Sequence, residues 1–90
     1  MQGVHAIVHG KVQGVWFRAW TQDTAKELGI TGWVRNLAGG EVETVAQAEQ
    51  KALDAFLDRL QDGPPLARVT RIDVSPHDAD ERLNSFKVRA

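Results

Sequence analysis

Gly10-Lys11-Val12-Gln13-Gly14-Val15-Trp16-Phe17-Arg18-Ala19-Trp20 joins two patterns of different period. Before it, Val4, Ala6 and Val8 alternate with His5, Ile7 and His9, which predicts a strand over about residues 3–11 with one well-buried face. After it, Phe17, Trp20, Thr24 and Leu28 fall on one side at helical spacing, which predicts a helix over 17–28 stopped by Gly29. A strand-to-helix turn with glycine lets the backbone fold back so that several N–H groups point inward. The start of the helix adds its own unpaired N–H groups and a partial positive charge. With Arg18 in the first turn, such a loop suits a phosphate-sized dianion.

Downstream of this loop, residues 31–36 read as a second strand and 41–47 as a third, with Val42, Thr44 and Ala46 on one face. The Gly39-Gly40 pair between them argues for an antiparallel hairpin. Ala52, Leu53, Phe56, Leu57 and Leu60 form the cleanest helical stripe in the chain, ended by Gly63-Pro64-Pro65. Residues 67–75 read as a fourth strand whose apolar parity slips between Val69 and Ile72, predicting a bulge or a late start. Residues 76–84 read as a polar loop, and Phe86 with Val88 mark a short closing strand. The order strand, helix, strand, strand, helix, strand predicts a ferredoxin-like split βαβ sandwich of the α+β class. Its antiparallel sheet carries both helices on one face, with an extra short C-terminal strand.

Ninety residues provide for one small domain, expected to span 1–90. A net charge of −1 makes the chain no general attractant for nucleic acid or anionic membrane, so any anion site must be local. There is no cysteine, which removes disulfides, thiol catalysis and thiolate metal sites together. No window approaches the ~20 apolar residues of a membrane span, and the N-terminus does not read as a signal peptide. A cytoplasmic monomer is the expectation.

Among single residues, Arg18 is as readily a surface arginine on residue statistics alone. A cation is mildly unfavourable at a helix N-terminus, however, and an anion between the two positive groups would resolve the conflict. Asn36, taken alone, reads more readily as a turn residue at a strand end than as an uncharged amide able to orient a water. His5 and His9 share a strand face but lie four residues apart, about 13 Å at ~3.3 Å per residue, too far to share one metal ion. Trp20 and Trp33 read as core, whereas Trp16 lies in the loop and lines its wall. No G-x-x-x-x-G-K-[ST] loop and no serine in a nucleophile-elbow context is present. Any hydrolysis here must then use positioned water, on a substrate that is intrinsically reactive.

The segment from Gly10 to Arg18 resembles the first motif of the acylphosphatase family. Gly32-Trp33-Val34-Arg35-Asn36, with Gly40 and Val42 following, resembles the second. The resemblance covers essentially the whole chain. It implies a ferredoxin-like fold and hydrolysis of the carboxyl–phosphate bond of small-molecule acyl phosphates, releasing inorganic phosphate. It places the phosphate in the loop of Gly14, Val15, Trp16, Phe17 and Arg18, on backbone N–H groups at about Val15 to Arg18 and on the Arg18 guanidinium. It makes Asn36 the residue that orients the attacking water, and it implies no metal and no organic cofactor. One departure is Ala48, where the family's second motif usually closes with glycine. Two other classes compete. An RNA-binding sheet lacks the expected basic–aromatic strand motif, and a non-hydrolytic accessory module would not need both Arg18 and Asn36.

Overall fold

The computed structural model describes all residues from Met1 to Ala90. The alternating N-terminal run forms β1 (Gln2–Lys11), and the helical pattern after the glycine loop forms α1 (Phe17–Glu27). The hairpin follows as β2 (Thr31–Asn36) and β3 (Val42–Ala48), then α2 (Gln50–Asp62), β4 (Arg68–His77) and β5 (Phe86–Val88). The strands lie in the order β4-β1-β3-β2-β5. The first four pair antiparallel, giving the expected split βαβ arrangement.

The closing strand makes the sheet mixed, because β5 runs parallel to β2, with Phe86 opposite Gly32 and Val88 opposite Val34. The direction follows from where the chain stands when β4 ends. His77 lies opposite Gly3, at the end of the sheet where β1 and β2 begin. Residues 78–85 cross at that end, so β5 enters beside β2 in the same direction. The opposite end is left to the loop at 12–16 and the turn at 37–41.

Even-numbered residues of β1, β2 and β3 face the two helices. Ala6, Val8, Val34, Val42, Thr44 and Ala46 are fully buried there. In α2 the predicted stripe is the packed one, with Leu53, Phe56 and Leu60 buried and Ala52 and Leu57 flanking them. Burying each large side chain contributes roughly 1.5–3 kcal/mol. Phe56 meets Phe86 edge-on at 6.0 Å between ring centroids, which ties β5 into the core. In α1 the line of deepest burial is Phe17, Thr21, Thr24 and Ala25, with Trp20 and Leu28 packed at its margin rather than at its centre.

The parity slip in β4 is a bulge: His9 faces Arg71 while Gly10 faces Val69, leaving Thr70 as the extra residue. β4 also runs past the predicted end at 75, through Pro76 and His77. It is an edge strand, where a residue without an N–H costs no ladder bond.

Odd-numbered residues occupy the open face, and this corrects the placement of Trp33. Its ring lies outside the core beside two cations, with the Arg89 guanidinium 4.4 Å and the Arg35 guanidinium 5.3 Å from its centroid. Core parity in β2 belongs to Gly32 and Val34. His5 and Arg35 both bond the Glu43 carboxylate, whose side chain is 13% exposed. Burial alone would raise the Glu43 pKa, but the bonds from His5 and Arg35 outweigh it and hold the carboxyl below its ordinary 4.5. His9 bonds Asp73, so the two histidines engage different carboxylates.

Two outcomes follow from this packing. A carboxyl whose pKa is lowered by folding stabilises the protein above its unfolded-state pKa, and that stabilisation is lost as pH falls through the folded value. Glu43→Gln is expected to melt below the wild type at pH 7, with the gap closing as pH drops under 4.5, read by thermal denaturation across pH. Gly32 has φ 146°, and a Cβ there would stand 1.9 Å from the Val45 carbonyl oxygen. Gly32→Ala should therefore cost roughly 3 kcal/mol in urea unfolding.

Candidate active site

The loop between β1 and α1 is anchored by apolar side chains. Val12, Val15 and Phe17 are buried, so the backbone between them is pinned against the core. Gly14 and Trp16 both take left-handed conformations, at φ 74° and 69°. Glycine does this freely, but Trp16 is the one non-glycine residue of the chain with positive φ. The residue is nonetheless 64% exposed. A strained backbone carrying a solvent-facing indole does not serve packing, and such strain collects at functional sites.

Trp16 is also the N-cap of α1, with no side-chain capping bond and no acidic residue in the first turn. The first helical bond runs from Trp20 N to the Trp16 carbonyl, at 3.1 Å. The N–H groups of Phe17, Arg18 and Ala19 precede it and have no acceptor within the helix. The positive end of α1 is therefore left without the oxygen that usually covers it.

Arg18 lies in this first turn, and its Nη1 donates to the Arg89 carbonyl at 3.3 Å. That carbonyl is placed in turn by the Arg89 N–H bonding the Val34 carbonyl at 2.8 Å, which extends the β2–β5 pairing. Asn36 is the last residue of β2, on the helix-facing parity with Val34. The same hollow, about 250 Å³, is lined by Arg18 and Asn36 together with Val12, Gln13, Gly14, Trp16, Phe17, Ala19 and Val88. The loop residues Gly14, Trp16, Phe17 and Arg18 thus share one cavity with Asn36, while Val15 points into the core beneath it.

No aspartate, glutamate or histidine lines this hollow, so Arg18 is its only charged side chain. The arrangement offers an anion three amide donors, a guanidinium and a neutral carboxamide, in a site with no opposing negative charge. A larger hollow of about 340 Å³ lies on the open face of the sheet, beside Trp33, Arg82, Lys87 and Arg89. Strand alternation keeps it apart from Arg18 and Asn36. Ala48 ends β3 opposite Gln2, buried and without positive φ, so the departure from glycine leaves an ordinary strand end.

Two contributors to this geometry were not read from the sequence. The Arg89 carbonyl acts through its main chain, which carries no side-chain signal. Gln13 donates its amide to the Leu37 and Glu41 carbonyls, at 2.8 and 2.9 Å, and only the fold brings that hairpin within reach.

Comparison with known proteins agrees with this architecture. Residues 4–88 match the Acylphosphatase family. An acylphosphatase of Methylococcus capsulatus is 55% identical over 88 residues, covering 98% of this chain and 96% of that protein. The crystal structure of acylphosphatase from Bacillus subtilis superposes with a TM-score of 0.96 at 34% identity, over 100% of both chains. An acylphosphatase from Coxiella burnetii superposes with a TM-score of 0.93 at 39% identity, over 98% of this chain and 92% of that one. With a match across nearly its whole length and a relative identical at more than half of the aligned positions, this chain belongs to the acylphosphatase family of enzymes, which hydrolyse acyl phosphates.

Proposed function

We propose that the phosphate of the acyl phosphate is held by the loop of Gly14, Val15, Trp16, Phe17 and Arg18, and that Asn36 directs the attacking water. The observation that carries this reading is the convergence of Arg18 and Asn36, from separate elements, on one hollow at the uncapped start of α1. The free N–H groups and the guanidinium neutralise the phosphoryl oxygens, most strongly as charge develops in the transition state. The Asn36 carboxamide accepts a hydrogen bond from water and aims its oxygen at phosphorus.

In the reaction, a P–O bond forms to the water oxygen as the bond from phosphorus to the acyl oxygen breaks. The electron pair of the broken bond leaves with the carboxylate. An acyl phosphate is a mixed anhydride, so this leaving group needs little protonation, and positioning with charge stabilisation does most of the work. The proton released by water passes to an oxygen of the substrate's own phosphoryl group. The hollow's lining supports this route, since it contains no carboxylate or imidazole to act as base. The reading needs no metal or organic cofactor.

Arg18→Ala should raise both KM and the inhibition constant of inorganic phosphate and lower turnover. Asn36→Ala should lower kcat with less effect on either binding constant. Each loss is expected on the order of 100-fold or more in steady-state assays with a simple acyl phosphate. Near-normal turnover in either variant would refute its assigned role. The pH–rate profile should show no essential enzyme group ionising near neutrality, and finding one would overturn the substrate as proton acceptor.

A further inference from the structure

The loop that receives the phosphate and the hairpin that carries Asn36 are separate pieces of chain, joined by the side chain of Gln13. Its Nε2 donates to the Leu37 carbonyl at 2.8 Å and to the Glu41 carbonyl at 2.9 Å. A carboxamide nitrogen has two hydrogens, and both are used here. Because both partners are carbonyl oxygens, only the NH2 end of the amide can face them.

The two acceptors occupy particular places. Leu37 is the first residue after β2 and Glu41 the last before β3. Their backbones are already joined across the hairpin by the Leu37 N–H bonding the Glu41 carbonyl at 2.9 Å. Gln13 therefore grips both stems of the hairpin at the root of its turn, one residue beyond Asn36. Gln13 itself sits two residues beyond the end of β1, next to Gly14, and lines the same hollow as Arg18 and Asn36. No other side chain of the loop at 12–16 makes a hydrogen bond to the turn at 37–41.

We infer that Gln13 is a positioning residue for the hydrolysis, setting the water-directing Asn36 in register with the phosphate-holding loop. This rests on the roles given above to Arg18 and Asn36. The physical reason is that in-line attack tolerates little error in where the water stands, and a displacement of about 1 Å can cost on the order of 100-fold. β2 and β3 fix Asn36 relative to the sheet, whereas Gln13 fixes it relative to the loop.

Gln13→Met keeps length and neutrality but removes both donors. It should lower kcat about 10- to 100-fold, while KM and the inhibition constant of inorganic phosphate stay within about threefold. Gln13→Asn keeps the amide but withdraws it by one methylene, and should shift the same constants in the same direction. Thermal melts of both variants report whether the fold is intact. The decisive comparison is the double variant with Asn36→Ala: once the group to be positioned is gone, Gln13→Met should cost less than about threefold more. Full multiplication of the two losses, or a rise in the phosphate inhibition constant as large as the fall in kcat, would overturn the inference while leaving the Asn36 role standing. Normal turnover in Asn36→Ala alone would overturn both.

Discussion

A helix that begins without a cap governs the site end of this molecule. The first N–H groups of α1 belong to residues that line a hollow, and Trp16, in a left-handed conformation, supplies no side-chain oxygen to cover them. Water would satisfy those donors on an ordinary surface helix. Here they stand beside Arg18 with no carboxylate among the neighbours, so positive potential accumulates where an anion can relieve it. Holding the backbone in that shape requires anchors, and Val12, Val15 and Phe17 provide them by burying their side chains in the shared core.

The sheet makes the arrangement possible by assigning its two ends different tasks. Residues 78–85 cross at one end, where Gln47 exchanges hydrogen bonds with the Asp80 backbone and is buried beneath the crossing. The other end receives the finishing residues of β1, β2 and β5, so the glycine loop, Asn36 and the Arg89 carbonyl meet there without a connection in the way. The parallel pairing of β5 matters for this reason. It brings a main-chain acceptor to Arg18 and Val88 to the wall of the hollow.

The open face of the sheet carries a different chemistry. His5 and His9 are hydrogen-bonded to Glu43 and Asp73, and the guanidinium groups of Arg35 and Arg89 both lie against the Trp33 ring. These groups give the uncovered side of a five-stranded sheet a charged, hydrogen-bonded surface in place of an apolar one, which discourages non-specific association.

Local pattern was enough to determine most of the architecture. The alternation of Val4, Ala6 and Val8, the stripe of Leu53, Phe56 and Leu60 and the parity slip before Ile72 each reflect interactions within one element and its facing layer, and each has its counterpart in the fold. The glycine loop and Arg18 were legible for the same reason, since loop, cap and first turn are contiguous in the chain. Trp33 was misplaced because a tryptophan in a strand suits either face, and only the pairing of β2 with its neighbours decides which face is covered. The direction of β5, the carbonyl behind Arg18 and the grip of Gln13 on the hairpin likewise lay outside the sequence's reach. They depend on main-chain groups that every residue carries, and their partners are 24 to 71 residues away, brought together only by packing.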